Sequence, residues 1–386
     1  MKICAIICEF NPFHNGHKYI VEQARKLSGC DLVLCIMSGS FTQRGDLCIS
    51  DKFTRARHAV TCGADAVIEL PTAFSVSPAE IFASGAMKII NSIPDISTLC
   101  FGCENPNADF SKSALLLIEE AEKFKKVLYS DLSEGKSYIK SYSDAFAFVG
   151  GNAELLTKPN NILAVEYAKA AMKSNSKIAL LPVKRVGNNF GDDTLCEEFS
   201  SASAIRKNLS SPTVKNNVPP CVYKDLKPIF NELSRFKDLI RFKLLCSSSE
   251  TLIKIYGCTE GLENNLINKS DLPYEQLINC TVGKRYTQSR IKRILLSNLL
   301  NIYADDCELY LKSDLYIKPL VINNEKADAV MSALARADYP LIMRQRDLSA
   351  LDKTAKKCLD SDIFSGKVHN FIFNRPNADF EYPLFI

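Results

Sequence analysis

The chain has 386 residues, more than one ordinary domain requires, so two domains are expected. With 46% hydrophobic and 24% charged residues it can bury a sizeable core, and no run nears the ~18 apolar residues of a membrane span, which excludes a disordered chain and a helical membrane protein. A formal net charge of +4 is too small to announce an anionic partner by itself.

Strands are expected at Ile3–Cys8, Asp31–Met37, Asp65–Leu70, Ser97–Phe101 and Lys177–Val183, all short, apolar and without period-two alternation. Amphipathic helices are expected between them, over Gly16–Leu27, Lys52–Cys62, Pro78–Asn91 and Asn161–Met172. This alternation predicts an α/β fold: a doubly wound parallel sheet, Rossmann-like, with right-handed crossovers. The opening run Ile3-Cys4-Ala5-Ile6-Ile7-Cys8 stops at Glu9, too short for a secretory leader, so a cytoplasmic protein without membrane contact is expected.

Residues 210–220 are polar and punctuated by Pro212, Pro219 and Pro220, which argues against a helix there and marks a boundary. A catalytic unit is therefore placed at 1–210 and a mainly helical unit at 220–386. Helices are expected in the second over Tyr223–Phe236, Asp238–Cys246, Ser289–Tyr303 and Glu325–Ala335, with a little strand near Tyr339–Met343. Fifteen cysteines, an odd number, sit mostly in apolar runs such as those of Cys4, Cys35 and Cys246, and read as small hydrophobes. The single CxxC, Cys100 to Cys103, has no second pair to complete a zinc site and reads as a strand end, so no metal ligands are assigned.

The strongest chemical signal follows the first strand: Glu9-Phe10-Asn11-Pro12-Phe13-His14-Asn15-Gly16-His17. In a doubly wound fold this turn is where phosphates dock, because the next helix points unpaired N–H groups and its positive dipole end there. His14 and His17 add donors, neutral or cationic, for charge building on phosphate oxygens as pyrophosphate leaves. The competing reading is a pair of capping or core histidines. A second cluster, Ser200-Ser201-Ala202-Ser203-Ala204-Ile205-Arg206, offers a serine cap and an arginine that can clamp phosphate; by itself it is also an ordinary helix start.

HxGH after strand one, with Ser-Ser-x-Ser-x-x-Arg late in the domain, resembles the HxGH nucleotidyltransferase superfamily. More narrowly, Cys8–His17, Ser38–Gly45, Ile68–Pro71, Phe101–Glu104, Pro159–Leu163 and Lys184–Gly187 resemble the bacterial tRNA(Met) cytidine acetate ligases, block after block in family order. The resemblance implies that ATP and acetate form acetyl-adenylate, which acetylates the exocyclic amine of the wobble cytidine of elongator tRNA(Met). It implies an ATP site made by Ile7, Cys8, Glu9, Phe10, Asn11, Pro12, Phe13, His14, Asn15, Gly16, His17, Lys18, Tyr19 and Ile20, helped by Gly102, Asn160 and Arg185. His14, His17, Ser203 and Arg206 are taken as catalytic, and Mg2+ is expected to accompany ATP. Where the family pattern carries an aromatic-His pair after the Arg185 motif, this chain has Phe190-Gly191.

Two further stretches invite contact with substrate. The loop Ser38–Asp46 leaves the second strand at the same sheet edge, with Phe41, Gln43 and Arg44 conspicuous. Gly283–Arg293 holds five basic residues and no acidic one; Ile291, Ile294, Leu295 and Leu299 form an inner stripe that leaves Arg290, Lys292 and Arg293 outward beside Tyr286. Lys284, Arg285, Tyr286, Arg290, Lys292 and Arg293 are thus expected to bind tRNA, although charge runs are often only solvated faces. His58 has no obvious partner in the sequence. Two other readings stay open: a small-molecule adenylyltransferase, and a non-catalytic RNA-binding protein on a relic nucleotide fold.

Overall fold

The computed structural model describes residues 1–187, 194–377, 379–380 and 384–386; the Phe190-Gly191 departure lies outside them. Strands β1 (Ile3–Cys8), β2 (Leu32–Ser38), β3 (Ala66–Leu70), β4 (Ile96–Cys103) and β5 (Ala179–Lys184) lie within two residues of their expected bounds. With β6 (Pro319–Ile322) they form one sheet in the order β5-β4-β1-β2-β3-β6. β1 pairs in parallel with both β2 and β4, so the winding reverses at β1 and opens a crevice beyond the carboxyl ends of β1 and β4. Continuous apolar strands are required because both faces are covered: Ile3, Ala5 and Ile7 belong to one core, Cys4, Ile6 and Cys8 to the other.

Helices Asn15–Ser28 and Lys52–Thr61 cover the second core through Val21, Ala24, Phe53 and Ala56. Helices Ala79–Asn91, Phe110–Glu119 and Pro159–Lys173 cover the first, and the helices of the C-terminal part extend it: Phe236 and Ile240 from Phe230–Leu245, Ile291 and Ile294 from Gln288–Leu300, Cys358 and Leu359 from Lys353–Ile372.

Several elements depart from the expectations. β6 runs antiparallel to β3, pairing Val67 with Val321 and Ile68 with Pro319, so chain beyond residue 220 completes the sheet. It is four residues long, too short for periodicity, and proline is tolerated because the strand is an edge. Lys318, just before it, shares buried ion pairs with Glu69 (3.0 Å) and Asp379 (2.8 Å), and Lys52 pairs with the same two carboxylates (2.8 and 2.6 Å). The polar boundary is not without helix: Pro212–Asn216 is a 3-10 turn, and Pro220 opens a helix to Asp225 from its first position, where the missing N–H costs nothing. Tyr339–Met343 supplies only a bridge, Ile317 to Leu341.

Candidate active site

The turn after β1 is built around its histidines. His14 caps helix Asn15–Ser28: its Nδ1 accepts from the Gly16 amide at 3.1 Å, while Nδ1 of His17 accepts from the His14 amide at 3.3 Å. The exchange satisfies two orphan donors reciprocally, a capping box made from imidazoles. A Cβ on Gly16 would stand 2.9 Å from the His14 ring, so glycine is what lets the cap close. The rings stack with centroids 3.7 Å apart. With Nδ1 of each ring accepting, the neutral proton sits on Nε2.

Burial, reinforced by the positive charges of Arg185 and Arg206, lowers the His14 pKa to about 3. His17 is held well below its ordinary value by burial, by His14 and by Arg185. Both are therefore neutral N–H donors near pH 7, which narrows the expectation of neutral or cationic groups to the first. The histidines that cap the helix also line the cavity beside it.

That cavity, about 380 Å³, lies in the crevice at the carboxyl ends of β1 and β4. Ile7, Cys8, Glu9, Phe10, Asn11, Gly16, Tyr19 and Ile20 line it with the histidines. Pro12 and Phe13 are buried within the turn. The Asn15 side chain instead donates to the carbonyls of Glu198 and Asn216, and Lys18 faces solvent, 3.9 Å from Glu22.

On the β4 side, Phe101–Glu104, Pro159–Leu163 and Lys184–Gly187 interlock. Glu104 accepts from the Asn160 side chain at 2.7 Å and from the Asn161 amide at 2.9 Å, and Asn161 accepts from the Glu104 amide at 3.0 Å. Arg185 follows β5, where its amide bonds to the Cys103 carbonyl (3.0 Å) and its guanidinium reaches Asn160 Oδ1 (3.4 Å). Gly102 lies under that arginine: a Cβ there would meet Arg185 Cγ at 3.2 Å. Gly102, Asn160 and Arg185 thus share one wall of the cavity.

The serine cluster lines the cavity as well. Ser201 caps helix Ala202–Lys207, accepting from the Ala204 amide at 3.0 Å. Arg206 donates to the Asn11 carbonyl at 2.6 Å and to Ser203 Oγ at 3.3 Å, fastening this helix to the histidine turn. Asn11 also reaches the loop after β2, donating to the Leu47 carbonyl (3.2 Å) and accepting from the Ile49 amide (2.9 Å).

In that loop the three conspicuous residues part company. Phe41 is fully buried against Phe236 and His369, because the bridge Phe41–Leu47 folds it inward; it does not face the cavity. Gln43 and Arg44 do line it. Gly45 has φ +80°, and a Cβ there would come within 2.6 Å of the Lys292 backbone. The loop therefore rests directly on helix Gln288–Leu300.

This contact corrects the reading of the basic run. Lys292 pairs with Asp46 at 2.9 Å and Arg293 donates to the Gln43 carbonyl at 3.3 Å, so both turn toward the cavity loop rather than outward. Arg290 is half-buried, bonded to the Gly257 carbonyl (2.8 Å) and stacked over Tyr286. Lys284 and Arg285 are exposed. The inner stripe holds at Ile291, Ile294 and Leu295, with Leu299 half-buried.

Sequence reasoning missed Arg55, a fully buried guanidinium that donates to the carbonyls of Glu9, Ser38, Gly39 and Ser50 and so joins the ends of β1 and β2. Its neighbours Thr54, Arg57 and His58 are polar as well, so nothing in the sequence sets Arg55 apart. It also missed the partner of His58, Asp225, whose carboxylate lies 2.8 Å from Nε2 and comes from beyond the boundary. Among the described residues no cluster of histidine, cysteine, aspartate and glutamate could hold a metal ion, and no helix is long and apolar enough to cross a membrane. Cys100 and Cys103 are buried on β4.

The HIGH Nucleotidyl Transferase family model matches residues 1–381. A tRNA(Met) cytidine acetate ligase of Clostridium acetobutylicum is 35% identical over 92% of this chain and 94% of its own length, and one of Acetivibrio thermocellus is 30% identical over 97% and 96%. Thermotoga maritima TmcAL superposes over 100% of this chain and 99% of its own, at 27% identity, with a TM-score of 0.90 in the apo crystal structure and 0.87 in the one bound with alpha-thio ATP. Histidine turn, fold and full-length likeness agree: the chain belongs to the HIGH nucleotidyltransferase family and, within it, to the tRNA(Met) cytidine acetate ligases.

Proposed function

We propose that this protein is an ATP-dependent acetate ligase that acetylates the exocyclic amine of the wobble cytidine in elongator tRNA(Met), releasing AMP and pyrophosphate. The observation that carries the reading is the convergence of His14, His17, Arg185 and Arg206 on one cavity at the switch point of the sheet. Acetate is a poor electrophile. Its oxygen attacks the α-phosphorus of ATP, the bond to the bridging oxygen breaks, and pyrophosphate leaves with the electron pair. Charge grows on the leaving oxygens, where neutral Nε2–H donors and fixed guanidinium groups stabilise it without reorganising. The cytidine nitrogen then attacks the acetyl carbon, the carbon–oxygen bond to AMP breaks, and the nitrogen loses a proton.

Holding both reactants in one cavity compensates for a weakly nucleophilic amine, since orientation contributes about 7–11 kcal/mol. Mg2+ would accompany ATP and be held mainly by phosphate oxygens and water, because no cluster of histidine, cysteine, aspartate and glutamate among the described residues could hold it and Glu9 is the one carboxylate among the residues lining the cavity. The basic run, with exposed Lys284 and Arg285 beside the loop contacts of Lys292 and Arg293, supports tRNA approaching from this side. A tRNA substrate places the work in the cytoplasm. The test is exchange of labelled pyrophosphate into ATP, which should require acetate and not tRNA. Exchange independent of any acid would favour a simple adenylyltransferase, and none at all a binding protein.

A further inference from the structure

Resting on that reading, we infer that Glu9 is the general base of the second half-reaction: its carboxylate accepts an N–H of the reacting cytidine amine and takes the proton released as the amide forms.

Glu9 directly follows β1, and it lines the cavity between the histidine turn and the loop after β2. Its backbone carbonyl is fixed by Arg55, and Oε1 accepts from the Gln43 amide at 2.6 Å. Among the described residues none donates to Oε2, which leaves one carboxylate oxygen for a ligand. The chemistry of that ligand is restricted. The anionic oxygens of triphosphate and acetate are repelled by a carboxylate, which leaves N–H and O–H donors: the adenosine amine and hydroxyls, or the amine of the incoming base. An exocyclic amine presents N–H donors, and carboxylates accept from cytosine N4.

Placement agrees. Gln43 and Arg44 flank Glu9 in the cavity, and the Gln43 carbonyl and Asp46 are held by Arg293 and Lys292 of the basic run. Glu9 is thus joined, through the loop that carries Gln43 and Asp46, to the helix that carries the basic run. The groups whose charges act on it are Arg44 and Asp46 from the loop, Arg206 from the serine helix, and Cys8, Cys48 and Tyr167 around its base. Burial raises its pKa, against the pull of the Gln43 amide and the two arginines, and a more basic carboxylate is the better proton acceptor.

The step balances. The N4–carbon bond forms, the carbon–oxygen bond to phosphate breaks with its electron pair on AMP, and the N4 proton passes to Glu9, which returns it to solvent. Glu9→Gln keeps the shape and an oxygen for the Gln43 amide but abolishes the base. General-base losses run from about 10²- to 10⁴-fold. The acetyl-transfer rate, measured in single turnover with tRNA in excess and saturating ATP, should fall at least about 100-fold, and this loss should exceed by at least about tenfold whatever loss the same variant shows in acetate-dependent pyrophosphate exchange. The wild-type transfer rate should also rise with pH through one ionisation that the variant lacks. A variant that raises KM for ATP in exchange and slows both steps equally assigns Glu9 to nucleotide binding and overturns the proposal. So does wild-type transfer by a folded variant. If wild-type enzyme shows no acetate-dependent exchange, the ligase reading itself fails, whatever Glu9 does.

Discussion

Replacing His14 with asparagine separates what the residue does for the fold from what it does for ATP. Asparagine is among the best N-caps, so the Gly16 amide keeps an acceptor and helix Asn15–Ser28 keeps its start. What disappears is the Nε2–H donor in the cavity. Losing one transition-state donor costs roughly 10²–10³ in rate, so acetate-dependent pyrophosphate exchange should fall by about that factor at pH 7.5. The same change should make the protein more tolerant of acid. His14 has a pKa of about 3 in the folded protein against an ordinary 6.5, so between those values the unfolded chain binds the extra proton and stability drains away as pH falls. At pH 5 the gap is about 1.5 units, or about 2 kcal/mol that wild type loses relative to neutral pH and the variant keeps. Urea unfolding at pH 7 and pH 5 measures it. Wild-type exchange in a folded His14→Asn protein, or an equal acid penalty in both proteins, would refute the neutral-donor account.

Arg206→Lys keeps a positive charge but loses the fork that spans Asn11 and Ser203, so exchange should recover only partly relative to Arg206→Ala; full activity would mean that diffuse charge suffices. Glu104→Ala frees Asn160 and Asn161 together, and should raise KM for ATP in exchange well beyond any change in kcat. Gly45→Ala should destabilise by roughly 1–3 kcal/mol in urea, because the backbone has positive φ and the added methyl meets helix Gln288–Leu300. Replacing exposed Lys284 and Arg285 with alanine should leave exchange intact while lowering tRNA affinity, each lost phosphate contact removing about 0.7–0.9 from the slope of log affinity on log salt.

How much of this could be read in the sequence depended on length scale. β1 to β5 and the helix after β1 were legible because continuous apolar strands and amphipathic stripes are local patterns, and the histidine turn was legible because its cap, glycine and strand are contiguous. What escaped is held by distant partners. β6 is a four-residue edge recognisable only through its pairing with β3. Arg55 looks like a surface helix residue until the carbonyls of two separate loops close around it. Lys292 and Arg293 belong to a basic run that reads as solvent-facing, and only Asp46 and the Gln43 carbonyl, some 250 residues earlier, turn them inward. Helix Lys353–Ile372, the longest of the fold, has a weak stripe because it is covered from several sides, with Asp362 bonded to the Thr72 amide and His369 to the Cys48 carbonyl.

In a tRNA(Met) cytidine acetate ligase, ATP drives the transfer of acetate onto a cytidine amine. The most direct test incubates the protein with ATP, isotopically labelled acetate and tRNA(Met), then digests the RNA and weighs the nucleosides by mass spectrometry. Labelled acetylcytidine should form at the wobble position only when ATP and acetate are both present, with AMP and pyrophosphate released in amounts equal to the product. An adenylyl group retained on the product, or acetylcytidine formed without ATP, would contradict it.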